Sequence, residues 1–197
     1  MMPRPSIQLR ELLADMVRVP GIANREIRGL KMDSRRAQHG DLFLALPGML
    51  VDGREFIGDA VAAGAAAILY EADDAYVFPG APVPAFAVSD LRHKIGIIAD
   101  RFYGAPSQRL IVVGVTGTNG KTTCTQLLAQ ALDHPPKRCA IIGTLGYGFP
   151  GALKASQHTT PDALTVNRLM SEFIDAGASH VSMEVSSHAL EQGRVNE

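Results

Sequence analysis

The sequence predicts an α/β fold in two parts: a small N-terminal α/β domain over 1–107, then a P-loop domain with a parallel sheet over 108–197. Three observations carry the prediction. Strand-like apolar runs alternate with segments of helical periodicity along the chain, the order expected of layered α/β structure. The run "LIVVGV" at 110–115 is continuously apolar, the mark of a strand covered on both faces of a parallel sheet. It leads into the Gly-rich "TGTNGKT" and then a helically spaced segment, the strand–loop–helix order of an anion-binding turn.

Taken in order, Leu9, Leu12, Leu13 and Met16 fall on one face of an expected helix over 7–17. Strands are expected at 27–32 and 41–46, then a helix at 54–63 capped by Gly64. "AAAILYE" and "PAFAV" read as strands, and a helix over 91–102 ends at "YGAPS", where the composition places the domain boundary near Ser107. Beyond the Gly-rich loop, Cys124, Leu127, Leu128, Ala131 and Leu132 have helical spacing and are expected to face inward. "RCAIIGTL" is a second strand and "HVSMEV" a third. Between them, "DALTVNRLMSEFIDAG" is a helix with Leu169, Met170, Phe173 and Ile174 inward. Three strands make a thin sheet, so the second part reads as an interrupted domain.

Composition excludes several classes. An apolar fraction of 46% and a net charge of −1 suit a soluble protein and give no electrostatic reason to expect nucleic acid or an anionic membrane. No apolar run approaches the about 20 residues that span a bilayer. Arg10, Glu11 and Asp15 interrupt the opening segment as a signal peptide would not be interrupted, so a cytoplasmic location is expected; a monomer is expected as well. Cys124 and Cys139 are expected to be reduced core thiols.

"VTGTNGKTTCTQ" at 115–126 has Val115 where the strict P-loop pattern asks for Gly. The chemistry survives that departure. Gly117 and Gly120 let the backbone curl around phosphate oxygens, and Asn119 tolerates a left-handed conformation. Unpaired N–H groups at the helix start and the helix dipole favour an anion. Lys121 is expected on the β- and γ-phosphates, and the Thr122 hydroxyl on Mg²⁺.

Two further stretches follow strands. In "SQHTTPDAL", Thr160 reads as a helix N-cap with Pro161 at the first helical position, and Thr159 and Thr160 form a candidate anion or carboxylate pocket. In "MEVSSHALEQGRV", Glu184 ends a strand expected to lie parallel to the loop's strand, where ligands bind. The stretch "MDSRRAQHGDLFLALPGMLVDGREF" carries similar polar turns, which ordinary turn chemistry also explains.

These stretches together resemble the Mur ligases of peptidoglycan synthesis, and within them the MurE-type tripeptide-synthetase branch. "TGTNGKT" is shared with the other Mur ligases and folylpolyglutamate synthases, whereas its combination with "DSR", "TTPDA" and "MEVSSHAL" is much more specific to this branch. The resemblance implies an ATP-dependent amide-bond ligase. ATP phosphorylates the terminal carboxylate of UDP-MurNAc-L-Ala-D-Glu, and the amine of a diamino acid, meso-diaminopimelate or L-lysine, attacks the acyl phosphate. The first domain then recognises the UDP end and the second is part of the ATPase domain.

The resemblance further implies that Gly117, Thr118, Asn119, Gly120, Lys121, Thr122 and Thr123 bind ATP, with Lys121 catalytic, and that Thr122 and Glu184 serve Mg²⁺. It places Met32, Ser34, Met49, Leu50 and Val51 at the uridine end, and His158, Thr159, Thr160, Ser186, Gln192 and Arg194 along the muramoyl-peptide path. His158 stands where Asn also occurs in the family, and "MLV" where some relatives carry a more polar triplet. The family's second metal segment and its amine-binding domain have no counterpart in the sequence, so negligible ligase activity is expected of this polypeptide alone. The rival readings are a neighbouring Mur or folylpolyglutamate-type ligase, a UDP-sugar- or ATP-binding remnant without turnover, and a regulatory P-loop NTPase.

Overall fold

The structure is a computed structural model that describes residues 6–48, 51–73, 75–156 and 158–196. The chain forms two compact units that divide after Lys94, ahead of Ser107.

In the first unit, β1 (Ile7–Gln8) pairs antiparallel with β2 (Glu26–Ile27), and α1 (Leu9–Leu12) follows β1 directly. The helix expected over 7–17 is therefore cut to one turn. Asp15 takes a left-handed φ of 66°, which no helix continues through. The strand expected at 27–32 is likewise divided, because Ile27 belongs to β2 and β3 (Gly29–Lys31) to another sheet.

That second sheet is all parallel, in the order β3, β4 (Asp41–Ala45), β5 (Ala67–Glu71), β6 (Ala85–Val88). α2 (Ile57–Ala62), entered through a 3-10 turn at Gly53–Phe56, packs Ile57 and Ala60 on Phe43, Ala45 and Ile68. β4 is buried at every residue, as expected of a strand inside a parallel sheet. α3 (Leu91–Tyr103) has the carboxylate of Glu71 accepting from the N–H groups of Asp90 and Leu91 at its start, and it runs through the division between units.

The second unit takes up α3 from Ile95 and continues with α4 (Pro106–Arg109) and β7 (Ile111–Val115), then α5 (Lys121–Leu132). β8 (Cys139–Gly143), β9 (Gly146–Phe149) and β10 (Ala152–Lys154) come next, then α6 (Ala163–Asp175), β11 (His180–Glu184) and α7 (Ser187–Glu191). The sheet order is β10-β9-β8-β11-β7: β8, β11 and β7 are parallel, and β9 and β10 add an antiparallel hairpin.

The hairpin was not expected. Its glycines interrupt the strand pattern, yet the pairing requires them. A side chain on Gly146 would lie 2.2 Å from the Lys154 carbonyl oxygen, and one on Gly148 would lie 2.7 Å from that of Ala152.

Strand alternation sorts this sheet's two faces. Ala140, Ile142, Val181 and Met183 meet α6 residues Val166, Leu169, Met170 and Phe173, while Cys139 and Ile141 meet Ala129 of α5. Two expectations fail here. β7 lies at the sheet edge, and Ile111 is 59% exposed rather than covered on both faces. α5 buries Thr125 and Ala129, whereas Cys124, Leu127, Leu128 and Ala131 are exposed and only Leu132 is half-buried. A row of small residues lets α5 lie close on the sheet, so the larger apolar residues beside it point away. Cys139 is a buried thiol as expected, but Cys124 is not.

Candidate functional site

The carboxyl ends of β7, β8 and β11 converge, the place where open parallel sheets bind ligands. From β7 the chain enters an exposed loop, residues 116–120. Gly117 and Gly120 take φ of 140° and 81°, so these two glycines, not Asn119, carry the unusual backbone. Gly120 is the N-cap of α5, and the first helical hydrogen bond runs from Cys124 N to the Gly120 carbonyl. The N–H groups of Lys121, Thr122 and Thr123 therefore lie ahead of that ladder, in the partly exposed first turn with the positive end of the helix dipole. Thr118 and Asn119 are exposed on the loop, and Lys121 curls over it with Nζ donating to the Gly117 carbonyl at 2.7 Å.

Glu184 reaches this loop through strand parity. Ser182, two residues earlier on β11, donates from Oγ to the Thr125 carbonyl of α5. Glu184 shares that face, and register sets it beside Val115 at the end of β7. Its carboxylate then meets the first turn of α5, where the Thr122 hydroxyl donates to Oε2 at 2.9 Å. On the other flank Gly143 ends β8. A Cβ there would lie 2.3 Å from Glu184 Oε1, so the space for the carboxylate is the missing side chain of Gly143.

Thr144 completes the arrangement. Its backbone N–H donates to Glu184 Oε1 at 2.9 Å, and its hydroxyl lies 3.2 Å from Oε2 and 3.0 Å from the Thr159 hydroxyl. Sequence reading missed both Gly143 and Thr144. The available signal was "GTLG" at the end of a buried strand, the same strand-end position that had singled out Glu184.

Glu184 is 1% exposed, and none of the described ion pairs involves it. A buried carboxylate served only by hydroxyl and N–H donors has room in its electrostatics for a cation. The carboxylate and the Thr122 hydroxyl beside it are hard oxygen ligands of the kind Mg²⁺ takes together with nucleotide phosphates. Among the described residues there is no cluster of three or more His, Cys, Asp or Glu side chains.

Hydrogen bonds connect most of the remaining predicted residues of this unit to Glu184, Thr160 directly, Thr159 through Thr144, and Ser186, Arg194 and Gln192 through Thr160, whereas His158 bonds to Ser156. Thr160 is not the helix N-cap. Asp162 holds that position and accepts from the Thr165 N–H, while the Thr160 hydroxyl donates to the Glu184 carbonyl and accepts from the Ser186 N–H. Ser186 caps α7, accepting from Ala189 N. Arg194 donates to the Thr160 carbonyl at 2.8 Å and grips Gln192 Oε1 with Nε and Nη2. Thr159 is half-buried and His158 exposed.

In the first unit, Met32 and Ser34 follow β3, and Val51 lies in the loop after β4. These strands are parallel neighbours, so the residues share one end of that sheet. Met49 and Leu50 lie outside the described residues. The loop is pinned on both sides: Gly53 N donates to the Leu46 carbonyl, Gly48 N to the Val51 carbonyl, and Arg92 to the Pro47 carbonyl. Buried Arg54 grips both oxygens of Asp52, lies 3.5 Å from Asp73, and stacks over Tyr76 at 4.2 Å. Hydrogen bonding to the Arg54 guanidinium holds the Asp52 carboxyl below the usual carboxylate range.

Comparison with known proteins places both units. Residues 26–103 match the Mur ligase family catalytic domain, and residues 115–197 match the Mur ligase middle domain. This chain belongs to the Mur ligase family. It is 55% identical over 168 residues to the UDP-N-acetylmuramoyl-L-alanyl-D-glutamate--2,6-diaminopimelate ligase of Pseudomonas syringae pv. tomato, covering 85% of this chain and 34% of that one. It is 47% identical to the ligase of the same name from Alkalilimnicola ehrlichii, over 96% of this chain and 40% of that one. A solved structure of a ligase of that name superposes with a TM-score of 0.78 at 30% identity, over 97% of this chain and 38% of that one.

This Mur ligase chain thus spans between a third and two-fifths of the length of these relatives. Its fold agrees with the expected class, an α/β unit followed by a second α/β unit whose sheet is parallel over β8, β11 and β7. Among its described residues, no helix is long and apolar enough to cross a membrane.

Proposed function

We propose that this chain carries the nucleotide loop, a Mg²⁺ position and part of the substrate path of a ligase that joins 2,6-diaminopimelate to UDP-MurNAc-L-Ala-D-Glu with ATP. One observation carries the reading. The hydroxyl that follows the loop lysine meets a buried carboxylate at the carboxyl ends of two adjacent parallel strands. The substrates come from the names of the relatives.

The chain's residues divide the work. The loop N–H groups and Lys121 hold the β- and γ-phosphates and stabilise charge as the γ-phosphoryl group leaves ADP for the substrate carboxylate. Thr122 and Glu184 hold Mg²⁺, which when bound neutralises phosphate charge. Arg194, steadied by Gln192 and the Thr160 carbonyl, faces anionic oxygens of the muramoyl peptide with His158, Thr159 and Ser186 alongside. Attack by the amine on the acyl phosphate then forms the amide and releases phosphate. Met32, Ser34, Met49, Leu50 and Val51 take the uridine end in the first unit.

Calorimetric titration tests the reading. Mg²⁺-ATP and UDP-MurNAc-L-Ala-D-Glu should each bind this chain, and Lys121→Ala should weaken only the first. Failure of the wild-type chain to bind either ligand would sink the proposal.

A further inference from the structure

We propose that Thr144 couples a divalent cation at Glu184 to the affinity of the Thr159 pocket for an anionic group. This rests on the function proposed above and adds a residue and a dependence that it lacks.

The argument is a count of protons. A carboxylate only accepts hydrogen bonds, and a threonine hydroxyl has one proton to give. Thr144 Oγ1 lies between Glu184 Oε2, at 3.2 Å, and Thr159 Oγ1, at 3.0 Å. Its proton cannot serve both. The Thr144 backbone N–H fixes the carboxylate's other oxygen at 2.9 Å, so the hydroxyl and the carboxylate cannot drift apart.

With Glu184 carrying its charge alone, the Thr144 proton points to Oε2, because an oxygen lone pair facing a carboxylate at that distance is repelled. Thr159 then gives its proton to Thr144 and turns lone pairs to its pocket, which suits a donor and disfavours an anion. With a divalent cation satisfying Oε2, Thr144 is free to donate to Thr159, and Thr159 donates outward to an anionic oxygen. Cation and anion therefore favour each other's binding by the same factor, as linkage requires. Thr122 is the second hydroxyl on Oε2, at 2.9 Å, so the cation that redirects Thr144 is the one that nucleotide would bring.

A merely structural Thr144 would cap the end of β8 and leave no such dependence. The test is calorimetric titration of this chain with UDP-MurNAc-L-Ala-D-Glu, in saturating Mg²⁺ and in EDTA. Wild-type protein should bind at least about fivefold more tightly with Mg²⁺. Thr144→Ser should keep that ratio. Thr144→Val keeps the backbone N–H and the shape, and should bring the ratio to about one. Thr159→Val cuts the relay at its other end and should do the same, which preserves the test if Thr144→Val does not fold. A wild-type ratio near one, or an undiminished ratio in the folded valine variants, overturns the coupling and leaves the proposed function standing. No binding in any condition counts against the proposed function and removes the basis of the coupling.

Discussion

Thr122 and Glu184 are 62 residues apart in sequence, and the Thr122 hydroxyl donates to Glu184 Oε2 at 2.9 Å. The contact joins the first turn of α5 to the last residue of β11, and so ties the helix that opens after the loop to the carboxylate. Loop and carboxylate should nonetheless separate by mutation. Lys121→Ala removes a charged donor and should weaken ATP binding about tenfold to a hundredfold, with or without Mg²⁺. Thr122→Val should weaken it only when Mg²⁺ is present. Titrations with a non-hydrolysable ATP analogue, in Mg²⁺ and in EDTA, check both, and equal losses in EDTA would contradict the role given to Thr122.

Gly143→Ala is a sharper probe of Glu184 than a change at Glu184 itself. The added methyl would lie 2.3 Å from Oε1 and 3.0 Å from Cγ, so the carboxylate must move or the strands must part. Overpacking of this kind should lower stability by about 1–3 kcal/mol. Thermal unfolding measures that loss, and the Mg²⁺-dependent part of nucleotide affinity should fall with it. Wild-type behaviour in both assays would show that the carboxylate's position is unimportant.

The Asp52–Arg54 pair sets an acid limit on the first unit. The folded-state pKa of Asp52 is lowered, chiefly by its hydrogen bonds to Arg54. Its contribution is therefore complete above the unfolded-state value of about 3.9 and is lost as pH falls through the lower folded value. Asp52→Asn should remove that part of the acid dependence. It should also destabilise the unit near neutral pH, by less than the about 3–5 kcal/mol of a broken buried pair, because Asp73 still faces Arg54. Urea unfolding at neutral pH and at pH values below about 4 tests this. An unchanged slope of stability against pH in the variant would refute it.

The two thiols should report the orientation of α5. Cys124 is exposed, whereas Cys139 is buried and burial raises its pKa. A thiol-disulfide reagent should label one cysteine rapidly in the native protein and the second only on unfolding. Leu127→Gln, at a side chain 60% exposed, should change stability by no more than about 0.5 kcal/mol. A large loss would mean that this face is packed.

Much of the site was legible in order but not in detail. "TGTNGKT" after an apolar run was enough to place the loop, and a Glu at a strand end was enough to suspect Glu184. The partners of Glu184 were not legible, because Gly143 and Thr144 carry no motif. They matter only once β8 lies beside β11 in a register that sets Met183 against Ile142. Thr160 was misread as a helix cap for a related reason. Ser, Thr and Asp all serve that position, and only the fold shows Asp162 capping while Thr160 ties β11 to the segment before α6.

The sequence by itself determined the alternation of strands and helices, the α/β class, the position of the glycine-rich loop between strand and helix, and the family. These depend on local periodicity, on glycine's freedom and on residues that stand together in the chain. Tertiary structure alone decided which face of α5 is buried, that β7 is an edge, and that a glycine-rich hairpin extends the sheet. It also decided which hydroxyls meet the carboxylate. Those outcomes depend on strand order and register, which bring into contact residues that no local pattern relates.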